Sequence, residues 1–206
     1  MGPPAEKRLY SIAEYLKLEE KAKDKHEFHD GEILAMAGGS YEQSRIKTNL
    51  IVALGNRLRR GPCAPLDSDM RIRIHRRVDY VYPDASIPCG PPEFDPDDRK
   101  RTTIVNPRVI FEVLSDSTEA HDRGEKFSLY REIPTMQEYV LISQRRPRVE
   151  VFYRQDDGSW LLTHFSELTA VARLRSVEID LPLAELYTGV DFNPDPGVQH
   201  SAASAK

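Results

Sequence analysis

The 206-residue chain has two cysteines, one tryptophan and no apolar run near the roughly 18 residues that cross a bilayer. A membrane span is therefore not expected. The opening residues, MGPPAEKRLY, hold no hydrophobic signal core, and the Gly2 start lacks the Ser or Thr of a myristoylation site. Cys63 and Cys89 sit in proline-flanked loops, GPCAP and IPCGPP, without zinc spacing. With no signal core, a cytoplasmic location with both thiols reduced is the expectation. A strong excess of either charge is also missing. Lys and Arg number 29 against 33 Asp and Glu, a net charge of -4. The surface as a whole is thus not that of a nucleic-acid binder, although basic runs occur at 71–77, 99–101 and 145–148.

What is present is globular: 30% charged and 39% hydrophobic residues, with neither a repeat nor an inter-domain linker. The length suits one domain of α+β (α/β) type, expected over 1–192, with a disordered tail at 193–206. Ser11 and Glu14 form a capping box before a short helix. HEFHDGEILAMAGG reads as a hairpin turning at Asp30-Gly31. Ser40 caps a helix over 41–60 whose apolar stripe is Ile46, Leu50, Ala53, Leu54 and Leu58. Met70, Ile72 and Ile74 alternate with Arg71, Arg73 and His75, a strand with a basic outer face. Arg71, Arg73, Arg76 and Arg77 are the candidate phosphate contacts. Residues 88–101 read as an exposed loop. Strands are expected at 138–143, 148–154 and 160–165, and a short helix or turn at 179–187.

The informative stretch is 107–126, PRVIFEVLSDSTEAHDRGEK. Residues 108–114 form a buried strand in which Glu112 is the lone acid among Val109, Ile110, Phe111, Val113 and Leu114. A lone buried carboxylate is costly unless a cation or donor meets it. A helical pattern over 118–131 brings Lys126 near it, and Asp84 ends another apolar segment, PDASI. Two such carboxylates held together call for a cation between them, and oxygen ligands favour Mg²⁺ or Mn²⁺. Asp122, Arg123 and Gly124 are expected to shape the helix start, and Ser115, Ser117 and Thr118 to cap it. The histidines have no ligand spacing.

PDASI together with FEVLSDSTEAHDRGEKFSLYREIPTMQEYVLISQRRPRVEVFYR resembles the bacterial Uma-two family of restriction-endonuclease-like proteins, and the resemblance extends over about 11–186. It implies the PD-(D/E)XK nuclease fold, a mixed β-sheet flanked by helices, and an Mg²⁺-dependent endodeoxyribonuclease acting on DNA through a metal-activated water. By this resemblance Asp84 and Glu112 are the two motif acids and metal ligands. The motif lysine would fall at Leu114, and Lys126 from the following helix takes its place. Glu32 resembles a further active-site acid. Gln43 stands where the family often carries His, and an amide cannot take a proton. A homodimer is the expected assembly. The alternative is a catalytically degenerate member that binds nucleic acid or a protein partner.

Overall fold

Ser11 accepts from the Glu14 amide while the Glu14 carboxylate accepts from the Ser11 amide, so the reciprocal cap starts helix α1 (Ile12–Glu19). The computed structural model describes residues 8–36, 38–74 and 77–192. The tail at 193–206, expected to be disordered, lies outside them, as do His75 and Arg76. The hairpin follows as β1 (His26–His29) and β2 (Glu32–Ala35), with Asp30 and Gly31 both at positive φ in its turn. Helix α2 (Tyr41–Leu58) is capped by Ser40 and buries the foreseen stripe.

Next come β3 (Leu66–Asp67), β4 (Arg71–Ile74), β5 (Asp79–Val81), β6 (Ala85–Pro88), β7 (Thr103–Ile104) and β8 (Pro107–Leu114). The segment after β8 is helical in three pieces. These are α3 (Glu119–His121), a π-helical turn at Asp122–Lys126 and α4 (Phe127–Tyr130). Strands β9 (Glu138–Ser143), β10 (Arg148–Arg154) and β11 (Trp160–Ser166) match the three expected. The chain then adds β12 (Val171–Leu174), β13 (Ile179–Pro182) and α5 (Leu183–Leu186). The β12–β13 hairpin was not foreseen, and a strand occupies the first half of the stretch read as helix or turn.

The larger sheet has the order β11-β10-β9-β8-β6-β3, with β8 and β9 parallel and the other pairs antiparallel. A second sheet runs β2-β1-β5-β4-β7. Period-two alternation splits β8 between two cores. Val109, Phe111 and Val113 pack with the stripe of α2, while Ile110 and Leu114 pack with α4, β4 and β5. Glu112 shares the second face, between Ile110 and Leu114, and is 3% exposed.

Two expectations about β4 and the loop after β6 are corrected. Ile72 and Ile74 do point into the core, but the opposite face of β4 is covered rather than open. The Arg71 guanidinium lies 5.6, 5.9 and 5.8 Å from the ring centres of Tyr15, Tyr80 and Tyr82. It donates to Asp98 (3.2 Å) and Thr102 (2.8 Å). Arg73 pairs with Asp95 and with Asp97. The loop is therefore not simply exposed: Asp95 and Asp98 turn inward to neutralise these arginines, and both are buried. Arg71 and Arg73 hold α1, β4 and the loop together and are spent as phosphate contacts.

Cys63 and Cys89 form a disulfide, against the expectation of free thiols. Pairing of β3 with β6 lays the two proline-flanked loops side by side, and Gly90 donates to the Pro62 carbonyl beside the bond. No helix among the described residues is long and apolar enough to cross a membrane.

Candidate active site

The β6–β8 register sets Ala85 opposite Phe111, which lays Asp84 alongside Glu112. The Asp84 amide donates to Glu112 Oε2 (3.3 Å), and the Val113 amide donates to Asp84 Oδ2 (2.7 Å). Each acid is thus fixed by the backbone of the other's strand. Both line a cavity of about 400 Å³ between α2, β1, β8 and the π-helical turn.

That turn carries Asp122 and Lys126 into the cavity together. Such one-turn π segments recur at functional sites. Lys126 Nζ lies 3.1 Å from Glu112 Oε1, 3.3 Å from Glu27 Oε1 and 3.7 Å from Asp122 Oδ1. Tyr130, one helical turn further, donates to Glu112 Oε1 at 2.8 Å. From α2, Lys47 Nζ reaches Asp84 Oδ1 at 2.7 Å. The structure therefore brings Asp84, Glu112, Lys126 and Gln43 to one cavity.

Gln43 does not aim its amide into that space. Its Nε2 donates to the Val113 carbonyl at 2.8 Å, which ties the start of α2 to the end of β8. Glu32 is placed elsewhere. It lines a neighbouring cavity of about 710 Å³ with His29, Asp79 and His121, and Glu27 is the hairpin acid that meets Lys126. Arg77 is exposed on that second cavity, and Arg76 lies outside the described residues.

Sequence reasoning missed Glu27, Lys47 and Tyr130 and placed Asp122 outside the site. Two of them carried a signal. Lys47 stands four residues after Gln43 and Tyr130 four after Lys126, so each shares a helix face with a residue already singled out. Glu27 had none, because its neighbour Phe28 is equally buried in a four-residue strand.

The electrostatics follow from burial. Burial raises Glu112 above the ordinary glutamate range; Lys126 pulls it down, but Asp84, Asp122 and Glu27 push it up further. Burial also raises Asp122. Burial by itself would lower Lys126, yet Glu112, Glu27, Asp122 and Asp84 outweigh it and keep the ammonium charged. Burial would raise Glu27, but the His29 hydrogen bond, Lys126 and the Tyr82 amide hold it at about 2. Against its own burial, His29 is raised to about 9 by hydrogen bonds with Asp79 and Glu27.

Four carboxylates (Glu27, Asp84, Glu112, Asp122) and two ammonium groups (Lys47, Lys126) line the cavity, so carboxyl groups outnumber the cations that face them. His29 and Asp79, just outside, offset one another. Hard carboxylate oxygens in excess of ammonium groups suit Mg²⁺ or Mn²⁺. Among the described residues, no group of three or more His, Cys, Asp or Glu forms a ready cage. Such ions do not require one, because Mg²⁺ is commonly held by one or two carboxylates with waters completing the shell. Asp84 and Glu112 fit that pattern.

Comparison with known proteins bears on the whole chain. The model of the Uma2 family, described as "Putative restriction endonuclease", matches residues 12–184. "Uncharacterized protein slr1290" of Synechocystis sp. is 38% identical over 192 residues, covering 93% of this chain and 98% of that one. "Uncharacterized protein sll1609" of the same organism is 39% identical over 156 residues, covering 76% and 87%. A crystal structure from Anabaena variabilis, titled a putative nuclease belonging to DUF820, superposes with a TM-score of 0.69. It is 16% identical, covers 85% of this chain and 96% of its own, and shows a shared restriction-endonuclease-like fold. With a family match across nearly the whole described chain and relatives close to 40% identical, the chain belongs to the Uma2 family.

Proposed function

We propose that this protein is a metal-dependent endonuclease that hydrolyses DNA phosphodiester bonds. The observation that carries the reading is the side-by-side placement of Asp84 and Glu112 in a cavity where carboxyl groups outnumber ammonium groups. Asp84 and Glu112 would hold Mg²⁺ or Mn²⁺. Once bound, the ion supplies a water of lowered pKa and neutralises charge on a phosphoryl oxygen. The remaining residues prepare these two ligands. Tyr130 and Lys126 orient Glu112 and favour its anion, the Val113 amide orients Asp84, and Gln43 holds the end of β8. Lys126 acts through Glu112, and Gln43 acts through the backbone. Glu32 contributes to the wall of the adjoining cavity.

The test is nicking of plasmid DNA in Mg²⁺ or Mn²⁺, with Asp84→Ala and Glu112→Ala beside the native protein. Metal-dependent nicking that both substitutions abolish is expected. Activity surviving both would overturn the mechanism.

One observation favours the degenerate reading. Every oxygen of Asp84 and Glu112 already accepts from a protein donor, with Lys47 on Asp84 Oδ1. Salt-dependent DNA binding without cleavage or metal uptake would support that reading instead.

We also infer a homodimer. Strand β11 ends its sheet with Leu161 and Leu162 exposed, and two such edges can pair antiparallel. Sedimentation of a monomer at working concentration would argue against it. A cytoplasmic location is retained as a proposal against the Cys63–Cys89 bridge, which suits oxidising surroundings. Thiol alkylation in fresh cell extract decides it, since free thiols are expected in the cytoplasm.

A further inference from the structure

The cavity's two lysines are differently placed. Lys126 has three N–H donors and three carboxylates around it, and only 8% of its side chain is exposed. It has little left to offer a ligand. Lys47 keeps 28% of its side chain exposed, lines the same cavity and touches Asp84 Oδ1 at 2.7 Å. One donor on Asp84 leaves two for an incoming anion. Of the other candidate cations among the described residues, Arg71 and Arg73 are neutralised by Asp98, Asp95 and Asp97, and Arg77 opens on the neighbouring cavity.

We propose that Lys47, rather than Lys126, is the cation that contacts the phosphate of the substrate. An ammonium is a compact point charge that suits a phosphate oxygen. The position beside Asp84 sets that oxygen against the carboxylate pair. Lys47 also brings a partly exposed positive charge to a cavity otherwise lined by four carboxyl groups and the enclosed Lys126. The inference rests on the nucleic-acid reading above.

The experiment is fluorescence anisotropy with a labelled phosphorothioate oligonucleotide in Mg²⁺, over a series of salt concentrations. Each ionic phosphate contact contributes about one unit to the slope of log affinity against log salt. Lys47→Gln is expected to weaken binding several-fold and flatten the slope by about one unit, and Lys47→Arg to restore most of it. Lys17→Gln, at an exposed lysine of α1 away from the cavity, is the control expected to leave the slope unchanged. Native protein that binds while Lys47→Gln keeps the full slope would overturn the role of Lys47 alone. Native protein that binds no oligonucleotide would overturn the nucleic-acid reading and this inference with it.

Discussion

Replacing Lys126 by Met tests the electrostatic picture of the site. Methionine keeps the length of the side chain and removes its charge. Glu112, Glu27 and Asp122 then face one another without their shared cation, and all three side chains are at most 10% exposed. Breaking a buried ion pair from one side costs about 3–5 kcal/mol, because the stranded charge remains buried. In a chain of this size each kcal/mol moves the unfolding midpoint by about 2–4 °C, so a fall of roughly 6–20 °C is expected. The effect has a pH signature. Glu112 is raised in the folded protein, so its contribution is fully present below the unfolded glutamate value and is lost as pH rises through the folded one. Removing Lys126 raises Glu112 further, so both proteins lose this contribution in parallel up to the native folded value of about 8, and the gap between variant and native protein should widen between about pH 8 and about pH 10. Thermal unfolding followed by circular dichroism at both pH values measures it. A midpoint within about 2 °C of native, or a gap that narrows as pH rises, would refute the buried carboxylate cluster.

Other consequences follow from individual contacts. The His29 ring, held between Glu27 and Asp79, should titrate near 9 by NMR and be protonated at neutral pH; a midpoint near 6.5 would show that the bridge is absent. Its stabilisation is present below the unfolded histidine value and lost as pH climbs through 9, whereas that of Glu27 is lost as pH falls through about 2. Reducing the Cys63–Cys89 bridge, which closes a 26-residue separation, should cost up to about 3.5 kcal/mol, and an unshifted urea midpoint after reduction would contradict the pairing. Gly39→Ala would set a Cβ 2.2 Å from Gln43 Oε1 and force the amide off the Val113 carbonyl. A loss of about 1–3 kcal/mol is expected, and stability equal to native would show that Gln43 does not pin β8.

Much of this site could be read in the chain because its chemistry contrasts with its surroundings. Glu112 stands out as one acid in an apolar strand, and the family block adds Asp84 and Lys126. The residues that complete the cluster needed the fold. Glu27 comes from a hairpin in the other sheet, and the helix face that Lys47 shares with Gln43 is tied to the site once α2 is laid across the end of β8. The arginines of β4 were misread for a related reason. Alternation reveals that a strand has two faces but not whether the second is covered, and here α1 and the acidic loop cover it. The cysteines were judged by compartment, while their proximity depends on β3 pairing with β6. The β12–β13 hairpin escaped because each strand has only four residues, half of them exposed or partly so.

The central claim is that Asp84 and Glu112 share one divalent cation. The most direct measurement is a crystal of the protein soaked in Mn²⁺, with the ion located by its anomalous signal. The account predicts one strong peak in contact with both carboxylates, with Lys47 shifted from Asp84 Oδ1. A fully soaked crystal with no peak there, or with manganese bound only at other acids, would contradict it.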